Sequence, residues 1–262
     1  MKTMTIAQIQ KALQKIHTEN DPFLKELQTD SRKGVQTLLN RWKVERKKER
    51  QELERFQHMS LHEKRWRQKG FDAICGIDEA GRGPLAGPVV SAAVILKKNS
   101  FIKGLDDSKK ISEARRLQLF EQIHEEAEAI GIGMISPIEI DKYNIHQAVL
   151  KAMKLAVSNL VVQPDVLLID AMNIETPYPQ ESIIKGDANS ISIAAASIIA
   201  KVTRDRIMAE YDLRYPEYGF AIHKGYGTKA HLDALKKWGP SEIHRRSFAP
   251  VRSALQQSRK GE

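Results

Sequence analysis

From Phe71 onward, short apolar runs alternate with segments of helical spacing, and this alternation restricts the chain to an α/β fold. AICGID (73–78), PVVSAAVIL (88–96), IGIGMIS (130–136), DVLLIDAM (165–172) and ESIIKGD (181–187) read as buried strands. SEARRLQLFEQIHEEA (112–127) opens on a capping serine and carries Leu117, Phe120 and Ile123 at helical spacing. Residues 138–160 read as one helix with Ile145, Val149, Met153, Val157 and Leu160 on a single face. Residues 190–211 read as a helix whose small side chains permit close packing on a sheet. The order predicts three early antiparallel strands, with later strands joined through helices, hence a mixed five-stranded sheet flanked by helices.

Three of these runs finish on acids. Asp78 and Glu79 end the first strand, Asp170 the fourth, and Asp187 follows the fifth. One acid at a strand end is an ordinary turn residue, whereas three such ends in one domain point to a shared edge where ligands bind. Four carboxylates gathered there repel one another unless cations hold them. Hard oxygen donors suit Mg²⁺ or Mn²⁺ rather than zinc. No histidine pair has zinc-site spacing, and His223, His231 and His244 lie among basic residues. Two such ions about 3.5–4 Å apart activate water and stabilise both oxygens exchanged at phosphorus.

The first 70 residues are of another kind. They hold 17 Lys and Arg against 9 Asp and Glu, a net of +8 of the chain's +9. Thr5 is expected to cap a helix with Ile6, Ile9, Leu13 and Ile16 on one stripe, and Asp21-Pro22 a second helix with Leu24 and Leu27. A third carries Val35, Leu38, Leu39 and Trp42, then continues through KVERKKERQELER (43–55) as an exposed, charge-paired helix. The composition changes at Gly70, so a basic helical N-terminal extension (1–70) and a catalytic domain (71–262) are expected. Such a charge distribution points to nucleic acid before an anionic membrane. No apolar run approaches the roughly 18 residues of a membrane helix. The start lacks a secretory apolar centre, and Cys75 is the only cysteine; a cytoplasmic, monomeric protein is expected.

Between the first two strands lies GIDEAGRGPLAGP (76–88), whose glycines allow positive φ and let a ligand approach exposed N–H groups. It fits neither a Walker loop nor a dinucleotide fingerprint. Together with LDDSKK (105–110), LLIDAMN (167–173), IIKGDANSISIAAASIIAKVTRD (183–205) and GYGTKAH (225–231), this segment resembles type 2 ribonuclease H, specifically the ribonuclease HII family. The motifs run in order through residues 71–255.

The resemblance implies a ribonuclease H-like fold and a metal site at Asp78, Glu79, Asp170 and Asp187. Within it, Asp78 and Asp170 are the principal ligands, Glu79 completes the site, and Asp187 positions a second metal or the attacking water. It implies that Gly81, Arg82 and Gly83 contact the ribonucleotide around its 2′-hydroxyl, the group that separates RNA from DNA. Tyr226 is expected to recognise the ribonucleotide, and Lys109 to contact phosphate. Asp106 and Asp107 read as turn acids outside the metal site. HRRSFAPVR (244–252) is expected along the duplex channel, with Arg245 and Arg246 individually unremarkable as surface arginines.

The implied activity is hydrolysis of RNA in RNA–DNA hybrids and cutting 5′ of single ribonucleotides in duplex DNA, leaving 3′-hydroxyl and 5′-phosphate ends. A ribonuclease HIII-like enzyme is the nearest alternative, although that family typically has GKG where this chain has GRG. A noncatalytic basic nucleic-acid-binding protein is the alternative of another class, and the four acids argue against it. A membrane-surface protein would leave those acids unexplained. The front extension, absent from many family members, is expected to add duplex affinity through phosphate contacts.

Overall fold

A computed structural model of the chain describes residues 4–16 and 18–258, the side chains of 257 and 258 excepted. By packing it divides into two compact units, one up to Arg55 and one from Phe56.

The first unit contains α1 (Ile6–Leu13), α2 (Pro22–Thr29) and most of α3 (Lys33–Met59). Thr5 and Gln8 form a reciprocal capping box on α1, and Asp21 caps α2 ahead of Pro22. Ile9, Leu13, Ile16, Leu24, Leu27, Val35, Leu39 and Trp42 form its core, while Ile6 lies exposed.

The second unit is built on one sheet ordered β3-β2-β1-β4-β5. β1 (Ile74–Ala80), β2 (Val89–Leu96) and β3 (Ala127–Ile135) pair antiparallel; β4 (Val166–Asp170) and β5 (Gln180–Ile183) continue the sheet in parallel. This is the expected mixed, ribonuclease H-like topology. Strand side chains alternate between faces. Cys75, Ile77, Leu167 and Ile169 meet α7 (Ile145–Ser158) on one side. On the other, β2 meets α5 (Glu113–Glu126) and α9 (Ile191–Arg214). A Cβ on Gly76 would sit 2.0 Å from the Ser192 carbonyl carbon, so α9 lies directly on β1. Ala194, Ala195, Ala196 and Ala200 make that approach possible.

Two expectations are corrected. Residues 138–160 are not one helix: α6 (Pro137–Tyr143) stops at Asn144, whose φ of 67° breaks the spiral and whose side chain caps α7 by accepting from Gln147 N–H. The fifth strand stops at Ile183, because left-handed Lys185 turns the chain into α8 (Gly186–Asn189), which carries Asp187.

By packing the chain divides at Arg55/Phe56, inside the expected N-terminal extension, so residues 56–70 belong to the second unit. Phe56 and Met59 join the core between α5, α9 and the sheet, and Trp66 of α4 (Leu61–Gln68) packs on Phe71. Glu181 of β5 accepts from His62, Arg65 and Trp66. Composition marks where charge density falls; packing marks where apolar side chains find a core. Among the described residues no helix is long and apolar enough to cross a membrane.

Candidate active site

β1 and β4 run parallel as neighbours, with Ile77 opposite Ile169, so the next residues, Asp78 and Asp170, follow directly where this pairing stops. Parallel neighbours lie about 4.8 Å apart. Asp78 is buried; its Oδ1 accepts from the Glu79 N–H at 2.7 Å, and the Ser197 hydroxyl bonds its carboxylate. Asp170 Oδ1 accepts the Gly186 N–H at 2.7 Å, which ties the turn carrying Asp187 to the strand end.

Burial, then repulsion from Glu79 and Asp170, holds the Asp78 carboxyl well above the usual range. Burial raises Glu79 as well; Arg82 opposes and Asp170 adds to that rise. Asp187 is raised by burial and by its neighbours Asp107 and Asp170. Burial works against the charge on Lys109, but Asp78, Asp107 and Asp187 outweigh it and raise its pKa. The structure thus brings together Asp78, Glu79, Asp170, Asp187 and Lys109. Asp107, read as a turn acid, does accept the Lys109 N–H as a turn acid would, yet it also hydrogen-bonds Asp187. A strand-end rule has no means of marking a loop acid.

The donor set fits a hard divalent cation. All donors are carboxylate oxygens, and the buried Glu79 Oε2 has no hydrogen-bond partner. Among the described residues no three acid, histidine or cysteine side chains are already gathered closely enough to hold an ion. Their oxygens engage local donors instead, Asp170 on Gly186 and Glu79 Oε1 on Arg82 at 3.4 Å.

Beside the acids lies a cleft of about 430 Å³, lined by Glu79, Gly81, Arg82, Gly83, Lys109, Ser197, Lys201 and Tyr226. Gly81 has φ +100°, and a Cβ there would lie 2.2 Å from Arg204 Nε, so this position requires glycine. A Cβ on Gly83 would meet only the Tyr226 ring, at 3.7 Å. Tyr226 is 44% exposed and faces the glycine loop across the cleft.

Two buried arginines underlie that loop. Arg204 donates to the carbonyls of Ala86, Pro88 and Lys224, and Arg245 to those of Gly81, Arg82, Gly87 and Pro88. The reading of Arg245 as a surface arginine is corrected: it is 0% exposed, whereas Arg246 is exposed and offers its backbone N–H to Asp141. Arg204 had a visible signal, since Ser197, Lys201 and Arg204 share helical spacing. Arg245 had none, because the carbonyls it binds are distant in sequence.

His231 and His244 form a buried chain. His231 Nδ1 faces the Tyr226 carbonyl and must carry its proton there, leaving Nε2 to accept from His244 Nε2–H at 3.0 Å. His244 Nδ1 then accepts from Ser241. All lone pairs in the contact are used, so neutral rings hold the Tyr226 turn. Burial lowers the pKa of both rings, to about 3 for His244. Their folded-state pKa values lie below the unfolded value of about 6.5, so the unfolded chain takes up protons first. For the His244 ring, stability is expected to fall as pH drops from about 6.5 toward 3, at up to about 1.4 kcal/mol per pH unit. Urea unfolding of wild type and His244→Gln between those limits checks this; equal slopes would contradict it.

A family model described as Ribonuclease HII matches residues 75–251, and one described as Ribonuclease HII N-terminal domain matches residues 5–67. Ribonuclease HII of Bacillus cereus (strain B4264) is 53% identical over 256 residues, covering 98% of this chain and 100% of that protein. Ribonuclease HII of Geobacillus sp. (strain WCH70) is 51% identical, covering 100% of this chain and 94% of that one. The crystal structure of ribonuclease H2 from Pyrococcus horikoshii OT3 superposes with a TM-score of 0.62 at 25% identity, over 71% of this chain and 99% of that chain. Matches at this identity over nearly the whole length, on a fold with this topology, show that the chain belongs to the ribonuclease HII family and is an endoribonuclease.

Proposed function

We propose that this chain is a divalent-metal-dependent endonuclease for RNA in RNA–DNA hybrids that also cuts on the 5′ side of a single ribonucleotide in duplex DNA, leaving 3′-hydroxyl and 5′-phosphate ends. The observation that carries this reading is the placement of Asp78 and Asp170 just past the last paired residues of neighbouring β1 and β4, beside the cleft of the glycine loop and Tyr226. Asp78, Glu79, Asp170 and Asp187 would hold Mg²⁺ or Mn²⁺. The bound ion supplies activation of water and neutralisation of charge at phosphorus. Lys109 offers its ammonium to a substrate phosphate. The N–H groups of Arg82 and Gly83 meet the ribose of the ribonucleotide, and the Tyr226 ring packs on the sugar that follows.

The single, buried Cys75 supports a reducing, cytoplasmic setting. The protein is taken to act as a monomer, every proposed ligand coming from one chain. A noncatalytic clamp is disfavoured, because uncompensated acids at the cleft would repel phosphate.

The test is a DNA duplex with one ribonucleotide, incubated with magnesium or manganese and again with chelator. One metal-dependent cut on the 5′ side of the ribonucleotide is expected, with no product in chelator. Binding without metal-dependent product would support the clamp, and cutting confined to longer hybrids would favour ribonuclease HIII-like specificity.

A further inference from the structure

We propose that Arg245 is a positioning residue for ribonucleotide recognition: by holding the Gly81 and Arg82 carbonyls inward, it aims the next two peptide N–H groups into the cleft. The proposal rests on the reading that this loop meets the ribonucleotide.

Arg245 comes from the segment before α12 (Ala249–Ser258) and is entirely buried, with Phe248 5.2 Å from its guanidinium carbon. Its NH2 lies 2.6 Å from the Gly81 oxygen, NH1 2.9 Å from the Arg82 oxygen, and Nε 3.0 Å from the Gly87 oxygen. Among the described residues it makes no ion pair, so the carbonyl dipoles carry most of the compensation for its buried charge, with the Phe248 ring face beside them. A carbonyl that turned away would leave a guanidinium N–H unpaired inside the protein, which buried donors rarely tolerate. The loop therefore has little freedom to rotate its peptides.

Peptide geometry converts this restraint into direction. In a trans peptide the C=O and N–H point opposite ways. Gly81 and Arg82 carbonyls held on the guanidinium thus direct the N–H groups of Arg82 and Gly83 away from it. Neither N–H has an acceptor among the described residues, and both residues line the cleft opposite Tyr226. Two unpaired donors facing away from the guanidinium suit a hydroxyl or phosphate oxygen in the cleft. Arg204 holds the far side of the loop through Ala86 and Pro88, so the donors have a fixed base at both ends.

The test compares binding of one duplex containing a single ribonucleotide with binding of the same duplex in all-DNA form. Calcium replaces the catalytic metal, and each variant's thermal midpoint is measured alongside. R245K keeps the charge but loses the fork, and R245Q keeps a planar donor without charge. Both are expected to lower the ratio of the two affinities about tenfold, the worth of one well-aligned hydrogen bond, while all-DNA affinity stays at the wild-type value. A purely structural arginine would weaken both duplexes equally or neither, and either result overturns the proposal.

G83V tests the underlying reading, since a Cβ there meets only the Tyr226 ring, at van der Waals distance. A lost preference in G83V with wild-type ratios in R245K and R245Q overturns the role of Arg245 and leaves the loop reading standing. An unchanged ratio in G83V overturns both. Should neither arginine variant fold, amide exchange in the wild type decides. Arg82 and Gly83 N–H groups that exchange freely, and are slowed by the ribonucleotide duplex but not the DNA duplex, support the proposal; protection in the free protein overturns it.

Discussion

Asp170→Asn is expected to leave a folded protein whose turnover on the single-ribonucleotide duplex is about 1,000-fold lower, some 4 kcal/mol of transition-state stabilisation. Asparagine keeps the size of the side chain and an oxygen for the Gly186 N–H, which now sits 2.7 Å from Asp170 Oδ1. What it removes is the charge shared with Asp78, Glu79 and Asp187, each of which Asp170 pushes toward its protonated form. Loss of that repulsion has a second consequence. The thermal midpoint without metal should hold or rise, while the increment produced by magnesium or manganese should shrink, because that increment follows affinity for the ion. Steady-state kinetics and thermal melts with and without metal check both halves. Near-normal turnover would remove Asp170 from the proposed site.

A larger structural effect is expected at Glu63. This carboxylate is 1% exposed, and its Oε1 accepts from Ser190 Oγ at 2.6 Å, Ser192 Oγ at 2.6 Å and Ser192 N–H at 3.1 Å. It therefore caps α9 from a different helix, favourably placed at the positive end of the α9 dipole. Glu63→Ala strands these donors inside the protein, at a cost of about 3 kcal/mol or roughly 10 °C in thermal midpoint. Truncation should follow the same line. A chain beginning at Phe56 keeps the thermal midpoint of the second unit, and its duplex affinity falls most at low salt, as loss of basic residues requires. A chain beginning at Phe71 loses Glu63, Met59 and Trp66 and should be unstable. Equal melting of the two truncations would refute the capping role.

Much of this molecule is legible in the linear chain. The strand runs, the small-residue helix and the N-caps at Thr5, Asp21 and Ser112 are local patterns, and the structure repeats them because local sterics and capping bonds decide them. Asp78 and Asp170 were suspected from strand ends alone, and the parallel pairing of β1 with β4 brings them side by side. The misjudged places share one cause. Asn144, Lys185 and Arg245 act through positive φ or through partners remote in sequence. Periodicity carries no trace of either.

The order of apolar runs, the acids that end them, the glycine loop and the basic front segment follow from residue types and spacing, because backbone geometry turns spacing into faces and ends. Only the folded chain decided which buried charges would lie behind those faces. A guanidinium or carboxylate taken out of water must find dipoles wherever the chain passes, and for Arg245 and Glu63 those dipoles belong to segments far away in sequence.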